Sequence, residues 1–285
     1  MNALRQVLVI ARMTLQEASR RRVLWALVGL TALLLGLSAW GFSRLAAETG
    51  TAALTSGEVK IIASQVLNLV LFGLSLIAAS GTAFLAGPTL AGEIESGMAL
   101  SVMARPVRRS SVLAGKWLGL AVFGSGFVVL AGLAQLLVVW VTVGYWPPQP
   151  VVGLALLAAQ TTVLMSLSLL LATVLSPMAS GIVAVGLFGA AWIAGVVGGI
   201  GEALGNDSVA LAGTVSRVIL PTDGLWRGAM HAFQDPSALT ALGPAMEGFP
   251  FLSLVGLSWA YVGWVAVWLT MILGLAALVL SRRDI

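Results

Sequence analysis

The chain has 285 residues, of which 59% are hydrophobic and only 9% are charged, with no cysteine and a formal net charge of +4. Soluble domains carry roughly 25% charged residues, so this composition excludes an ordinary soluble protein and indicates an integral membrane protein. Without cysteine, the sequence excludes a disulfide framework, thiolate metal sites and a cysteine nucleophile.

The fold class follows from the shape of the apolar runs. A transmembrane β-barrel shows alternating segments of roughly 10 residues, whereas the runs here are continuous and long enough to cross a bilayer as helices. We therefore predict an all-α integral membrane protein with six transmembrane helices, forming a single domain over residues 1–285.

The chain is predicted to open with a basic amphipathic helix over residues 1–22. Arg5 and Arg12 flank its apolar residues, and three consecutive arginines end it at 20–22. Such a helix lies on a membrane surface. The apolar run that follows, 23–42, is longer than the roughly 7–15-residue core of a secretory signal, so we interpret it as the first span.

Five more spans are predicted from charge-free runs and from proline. The second span ends near Pro88, and no charged residue occurs between Lys116 and Glu202. Prolines at 147–150 and at Pro177 divide this long run, because proline ends helices. These spans are 61–91, 113–143, 152–175, 181–201 and 254–280, with a larger external segment at 202–253.

The basic residues predict the orientation. If both termini are cytoplasmic, eleven of the 15 Lys and Arg residues fall in inside segments and four fall outside. Cytoplasmic loops carry the excess of positive charge, so we predict that both termini and the segment 92–111 face the cytoplasm.

The segment 92–111 is a candidate docking element. Ile94, Met98 and Val102 recur every four residues, which is typical of one apolar face of a helix. Arg105 precedes Pro106, and a residue before proline is driven out of the helical region. The simpler interpretation is a solvated loop that obeys the positive-inside rule. The charged residues of this segment, together with Lys116 shortly after it, are Glu93, Glu95, Arg105, Arg108, Arg109 and Lys116.

This stretch resembles the cytoplasmic loop of ABC type-2 transporter permeases. In that family, E-x-E-x-G, A-R-P-[VI]-x-R and [LA]-G-K stretches follow the second span, and here EIESG stands at 93–97, ARPVRR at 104–109 and LAGKW at 113–117. Residues 12–22 resemble the elbow helix of the family. The segment LPTDGLWRG at 220–228 is similar to one found in permeases for maturation of multicopper enzymes, such as nitrous-oxide reductase.

The resemblance implies a function. The chain would be the permease subunit of an ATP-driven ABC exporter in the inner membrane, with residues 92–109 as a coupling helix seated in a separate ATPase subunit. Seven residues would make that contact: Glu93, Ile94, Glu95, Met98, Arg105, Arg108 and Arg109.

The catalytic work would fall to the partner. The sequence has no G-x-x-x-x-G-K-[ST] motif, because Trp117 follows Gly115 and Lys116, and Ser110 stands where the first glycine is needed. We therefore expect a transport subunit that is not an enzyme and binds no cofactor, with ATP and Mg²⁺ on the ATPase, and we expect no nucleic-acid partner.

Candidate pathway and dimer positions lie in spans two and five. Gln65 and Asn68 are polar groups at depth, and Ala191, Gly195 and Gly199 repeat every four residues. Small residues at this spacing allow helices to approach closely. The contact could lie within one subunit or between two, and the family resemblance favours a homodimer surrounded by membrane lipid.

Two predictions concern the end of the chain. Trp259, Tyr261, Trp264 and Trp268 are interpreted as an aromatic belt at the membrane interface rather than a substrate platform. A short external helix is expected from a Thr222 cap to Phe233, with Leu225, Trp226 and Phe233 facing lipid.

Other functions fit less well. An ion-coupled transporter keeps ionisable groups inside the bilayer, and the predicted spans have essentially none. An intramembrane enzyme lacks a base at depth, and Met230 beside the single histidine, His231, is a poor copper site. A membrane scaffold that anchors an assembly without transport remains the alternative.

Overall fold

The computed structural model describes residues 3–50, 55–95, 108–237 and 249–282, and these residues form helices and connecting segments without a strand. The helices are α1 Ala3–Arg20, α2 Arg22–Gly50, α3 Ser56–Glu95, α4 Arg109–Val143, α5 Pro150–Leu171, α6 Pro177–Ala203, α7 Asp207–Ile219, α8 Thr222–Phe233 and α9 Trp259–Arg282. Six of these helices, α2 to α6 and α9, are long and apolar enough to cross a membrane. The predicted fold class is confirmed.

Prolines occur both in the first turn of a helix and in the interior of a helix. Pro150 and Pro177 occupy the first turns of α5 and α6, where the missing N–H would have no helical partner. Pro88, in contrast, lies inside α3, which continues to Glu95. Pro88 therefore does not end the helix, and the predicted span, 61–91, lies within the apolar stretch Gly57–Gly92 of α3. Membrane helices tolerate such a proline where nearby groups bond the backbone. Next to Pro88, Thr89 Oγ1 donates to Leu85 O at 2.6 Å, one residue after the carbonyl that loses its helical donor.

Helix α3 is at the centre of the bundle and contacts α2, α4, α5, α6 and α8. Its buried residues contribute to two apolar clusters. One cluster joins Leu67 and Leu71 to Trp226 and Phe233 of α8. The other joins Leu90 to Leu113 of α4 and to Leu280 of α9. The two clusters define two ends of the bundle. We name the end that contains Phe233 the hairpin end, after the helical hairpin formed by α7 and α8, and the end that contains Leu90 and Leu113 the charged-loop end.

Helix α1 packs along the start of α4. Ala11, Thr14 and Ala18 are its buried residues, and two glycines of α4 allow the approach. A Cβ at Gly115 would lie 2.6 Å from Ile10 Cβ, and one at Gly119 would lie 2.6 Å from Ala11 O. The amphipathic helix therefore turns its small residues to α4, while Leu4 and Leu8, from the predicted apolar stripe, are exposed.

Helices α7 and α8 form a hairpin that enters the bundle and returns. Along α7, Gly213 meets Gly198 of α6, and Ser216 Oγ donates to Ala191 O at 3.4 Å. Helix α7 therefore runs antiparallel to α6, away from the end of α6 at Ala203. Helix α8 returns to the hairpin end, where Tyr145 Oη donates to Phe233 O at 2.7 Å. Burial, with Asp235 nearby, raises the pKa of Tyr145, which keeps this hydroxyl protonated.

The hairpin corrects the expectations for residues 222–233. A helix does run from Thr222 to Phe233, but Pro221 is its N-cap and the Thr222 side chain makes no cap hydrogen bond. Leu225, Trp226 and Phe233 are fully buried, so they do not face lipid. The reason is that α8 lies inside the bundle, against α3, α5 and α6.

Candidate functional site

The residues expected to contact an ATPase lie where α3 stops and α4 starts. Glu93, Ile94 and Glu95 form the last residues of α3, whereas Met98 and Arg105 lie outside the described residues. Arg108 is the exposed N-cap residue of α4, with an extended backbone and no side-chain cap hydrogen bond. The predicted contact residues that the structure describes therefore flank the segment 96–107 on both sides, and Met98 and Arg105 belong to that segment.

Arg109 connects the start of α4 to the end of α9. Its Nη1 donates to Leu280 O at 3.0 Å and lies 3.4 Å from Ser281 O. The last carbonyls of a helix lack partners within the helix and carry partial negative charge. A guanidinium at this position therefore satisfies the end of α9 and fixes it to α4.

Lys116 makes a second connection at the charged-loop end. It is buried, and its Nζ donates to Thr89 O in α3. A buried ammonium needs hydrogen-bond acceptors to offset its lost hydration. About two turns after the arginine pair at 108–109, this bond holds α3 and α4 together beside Pro88. The sequence analysis predicted Lys116 as a charge of the cytoplasmic loop and as part of the LAGKW stretch, but not as a buried contact with α3.

The apolar cluster at the charged-loop end adds α2 and α5 to the same body. Leu113, Leu169 and Leu280 are buried there, with Val23 and Trp117 packed around them. Trp117 Nε1 also donates to Ser166 Oγ of α5 at 2.8 Å. Helix α1 adds its contacts at Gly115 and Gly119. Helices α1 to α5 and α9 therefore all have contacts within about three turns of segment 96–107.

The predicted pathway residues of α3 lie against the hairpin end. Asn68 is fully buried, and its Nδ2 lies 3.5 Å from Phe251 O. Among the described residues, Asn68 Oδ1 and Gln65 Nε2 are buried without a hydrogen-bond partner. One turn further, the Phe72 ring lies 4.9 Å from Trp192 and 5.3 Å from Trp226. Polar and aromatic groups of α3, α6 and α8 thus meet at one place.

The small-residue stripe of α6 is occupied by the chain's own hairpin. A Cβ at Gly195 would collide with the Asp223 carboxylate, and one at Gly199 would lie 3.1 Å from Arg227 Nη2. Ala191 is buried beside α7. These contacts lie within one subunit, which was one of the two interpretations left open by the sequence. A role of the stripe in a dimer or pathway stays a prediction.

A buried ionic cluster lies where the hairpin meets α6. The Asp223 carboxylate has almost no exposed surface, and its Oδ2 accepts from Arg217 Nε at 3.0 Å and from Arg227 Nε at 3.1 Å. Arg227 Nη2 also donates to Gly195 O at 2.7 Å. Glu202, half exposed, approaches Arg217 at 3.7 Å. The carboxylate therefore links α7, α8 and α6.

The sequence analysis did not predict this cluster. It placed all four residues in the external segment 202–253, and Asp223 and Arg227 entered it only as part of the LPTDGLWRG stretch. The spacing of Asp223 and Arg227, four residues apart on one helix, is a signal that could have indicated a pair. The position of Arg217, on the preceding helix, could not be inferred from spacing.

Three of the four aromatic residues of α9 donate hydrogen bonds to carbonyl oxygens at the C-terminal end of α7. Tyr261 Oη donates to Arg217 O at 2.9 Å, Trp264 Nε1 to Val218 O at 3.1 Å, and Trp268 Nε1 to Ile219 O at 2.7 Å. Only Trp259 is largely exposed. The aromatic-belt interpretation fails for Trp268, which is buried, because these side chains satisfy helix-end carbonyls.

The comparison with known families agrees with the layout of helices. The family described as ABC-2 family transporter protein matches residues 8–285. The chain belongs to this family. A search of curated proteins gives no match.

Family membership defines the role of the chain. It is a multi-pass membrane protein and a permease subunit of an ABC transporter, a transport subunit that is not itself catalytic. The family in general works with an ABC ATPase. The finer resemblance to permeases for multicopper-enzyme maturation stays a prediction.

Proposed function

We propose that this chain is the permease of an ATP-driven exporter in the inner membrane, with both termini in the cytoplasm. Two copies would bind ATPase subunits, which hold ATP and Mg²⁺, through residues 92–109. The observation that carries the proposal is the convergence at the charged-loop end, where Arg109 fixes α9 and Lys116 fixes α3 to the start of α4.

The mechanism is mechanical transmission. Closure of the ATPases would displace segment 96–107 together with the ends of α3 and α4. Because α1 packs on Gly115 and Gly119 without space for a Cβ, and α9 is bonded to Arg109, these helices would move with α4 as one body. Packed interfaces change between discrete arrangements rather than deform continuously, so a small displacement would be passed along the helices.

The pathway would lie near α3 and α6, the helices that carry Gln65, Asn68 and the Phe72–Trp192 contact. An apolar passage with few charges favours an amphiphile, a small peptide or a lipid over an inorganic ion. The sulfur or metal species that the maturation-type resemblance suggests remains within this proposal.

The first test is to isolate the tagged chain from its native membrane in mild detergent and identify what copurifies. A stoichiometric ATPase subunit supports the proposal. A chain that copurifies only with non-ATPase enzymes would favour the alternative, a membrane scaffold without transport.

The second test uses the isolated complex in proteoliposomes. Replacing Arg108 and Arg105 by glutamate should abolish the stimulation of ATPase activity by the permease while the thermal unfolding of the permease is unchanged, because Arg108 is exposed. Arg44→Glu, a single charge reversal at an exposed position of α2 away from the loop, is the control. An unchanged stimulated ATPase rate in the Arg105/Arg108 variant would overturn the coupling role.

A further inference from the structure

A groove of about 770 Å³ lies on the side of the bundle, between α5, α6, α7 and α9. Its lining is apolar apart from the hydroxyls of two serines and the indole nitrogen of Trp268. Leu167, Leu187, Leu211 and Ile272 mark its four sides. Ligand pockets in proteins have volumes of roughly 300–1,000 Å³, so this groove has the size of a ligand site.

The groove extends from the hairpin end to the middle of the membrane. Its lining on α7 runs from Ser208 to Leu220, which at about 1.5 Å per residue is a length of roughly 18 Å. The deepest lining residue of α6 is Leu187, ten residues or roughly 15 Å from the helix start at Pro177. The hydrocarbon core of a bilayer is about 30 Å thick. The groove therefore matches the depth of one leaflet.

The walls of the groove are held in place. Gly198 and Gly213 fix α7 against α6 with their backbones in contact, and the indoles of Trp264 and Trp268 fix the end of α7 to α9. These contacts hold α7 against both α6 and α9, so widening the groove at α7 would break them.

We propose that this groove binds one acyl chain of a membrane lipid from the leaflet at the hairpin end. A flexible hydrocarbon chain is the ligand that matches an apolar slot one leaflet long, open to the hydrocarbon of the bilayer. Its headgroup would lie near Ser208, at the outer end of the groove. The site is separate from the proposed coupling surface and from the Phe72–Trp192 contact.

The experiment reconstitutes the full chain in nanodiscs of phosphatidylcholine that carries a diazirine on one acyl chain, followed by illumination and peptide mass spectrometry. Leu211 in the groove and Leu33 on α2 are 61% and 60% exposed, so bulk lipid would label them equally. We expect several-fold more labelling at Leu211. Equal labelling of the two leucines would overturn the proposal.

A variant that fills the groove provides the second arm. Ala190 and Ala212 line the groove and are exposed, so Ala190→Phe with Ala212→Phe should reduce the Leu211 labelling to the Leu33 level without disturbing the fold. Ala266→Phe, at an exposed position of α9 outside this groove, should leave it unchanged. Undiminished labelling of Leu211 in the filled variant contradicts the proposal.

A photoreactive p-benzoylphenylalanine at position 211 identifies other occupants in the native membrane. A lipid-sized mass increase supports the proposal. A crosslink to a second copy of the chain, or to another protein, would overturn it. None of these measurements depends on ATPase activity, so the result is independent of the exporter proposal.

Discussion

The indole nitrogen of Trp268 donates a 2.7 Å hydrogen bond to the carbonyl oxygen of Ile219, the last residue of α7. The bond joins the last membrane span to the C-terminal end of α7, which lies 49 residues earlier in the sequence. Tyr261 and Trp264 make the same kind of bond to the two preceding carbonyls. Inside a bilayer, no water can satisfy such carbonyls, so these three donors allow α7 to end at depth.

Trp268→Phe should therefore destabilise the hairpin. The ring remains, but Ile219 O loses its donor, which costs about 1 kcal/mol for a buried polar group. The measurement is the thermal unfolding midpoint of the purified chain in detergent. Trp259→Phe, at the exposed aromatic position of the same helix, should have no effect. Equal midpoints for the two variants would contradict the capping role.

Asp223→Asn should destabilise the chain much more than Glu202→Gln, the corresponding change at the half-exposed carboxylate near Arg217. The substitution leaves the guanidiniums of Arg217 and Arg227 without their carboxylate, and breaking a buried ion pair costs roughly 3 kcal/mol. Glu202→Gln removes a half-exposed carboxylate 3.7 Å from Arg217, and such pairs contribute less than about 1 kcal/mol. Urea or thermal unfolding of both variants checks the difference. Similar stability losses would show that Asp223 does not organise the hairpin.

The sequence predicts the six spans but not the hairpin, for a physical reason. Long apolar runs and the prolines at 150 and 177 define helices whatever they pack against. In a membrane, however, lipid and protein interior are equally apolar, so hydrophobicity cannot tell whether Leu225 or Trp226 faces one or the other. The charges of residues 202–227 look like those of an exposed loop until Arg217 and Asp223 are seen to pair.

The candidate coupling site is predictable to the extent that it is local. The clustering of charge and the motif-like spacing at 93–117 direct attention to the stretch of chain where α3 ends and α4 begins, and its coupling role stays a prediction. Its connections to other helices, through Arg109 and Leu280 O or Lys116 and Thr89 O, join residues far apart in sequence. Such long-range contacts leave no periodic pattern.

Two kinds of glycine occur on α6, and they should respond oppositely to alanine. A Cβ at Gly198 would lie 2.5 Å from Gly213 Cα, whereas Gly186 and Gly189 have nothing within 4 Å. Gly198→Ala should destabilise the chain by about 1–3 kcal/mol, because backbone cannot yield as a side chain can. Gly186→Ala and Gly189→Ala should be neutral or stabilising by up to about 1 kcal/mol, through helix propensity.

Hydrogen exchange would locate the effect of Gly198→Ala. If the contact with Gly213 holds α7 in place, amides of residues 207–219 should exchange faster in this variant while those of α4 remain protected. Faster exchange in α4 as well would indicate general unfolding instead, and unchanged exchange in α7 would contradict the close contact of α6 with α7.

Arg109→Gln should uncouple the end of α9 from α4. The guanidinium donates to Leu280 O and approaches Ser281 O, and a shorter neutral amide cannot reach the helix end or match its partial negative charge. We expect faster hydrogen exchange at residues 278–282 and, in the complex with the ATPase, less transport per ATP hydrolysed. Arg282→Gln removes an exposed charge from the same helix end and is the matched control.

The two readouts separate two roles of Arg109. If the residue only contacts the ATPase, Arg109→Gln should weaken assembly of the complex while exchange at the end of α9 stays at the level of the unsubstituted chain. If it transmits movement to α9, the complex should assemble with unchanged affinity and the exchange and transport effects should appear together. The hydrogen bonds within the chain favour transmission, since a side chain committed to Leu280 O has fewer donors for a partner protein.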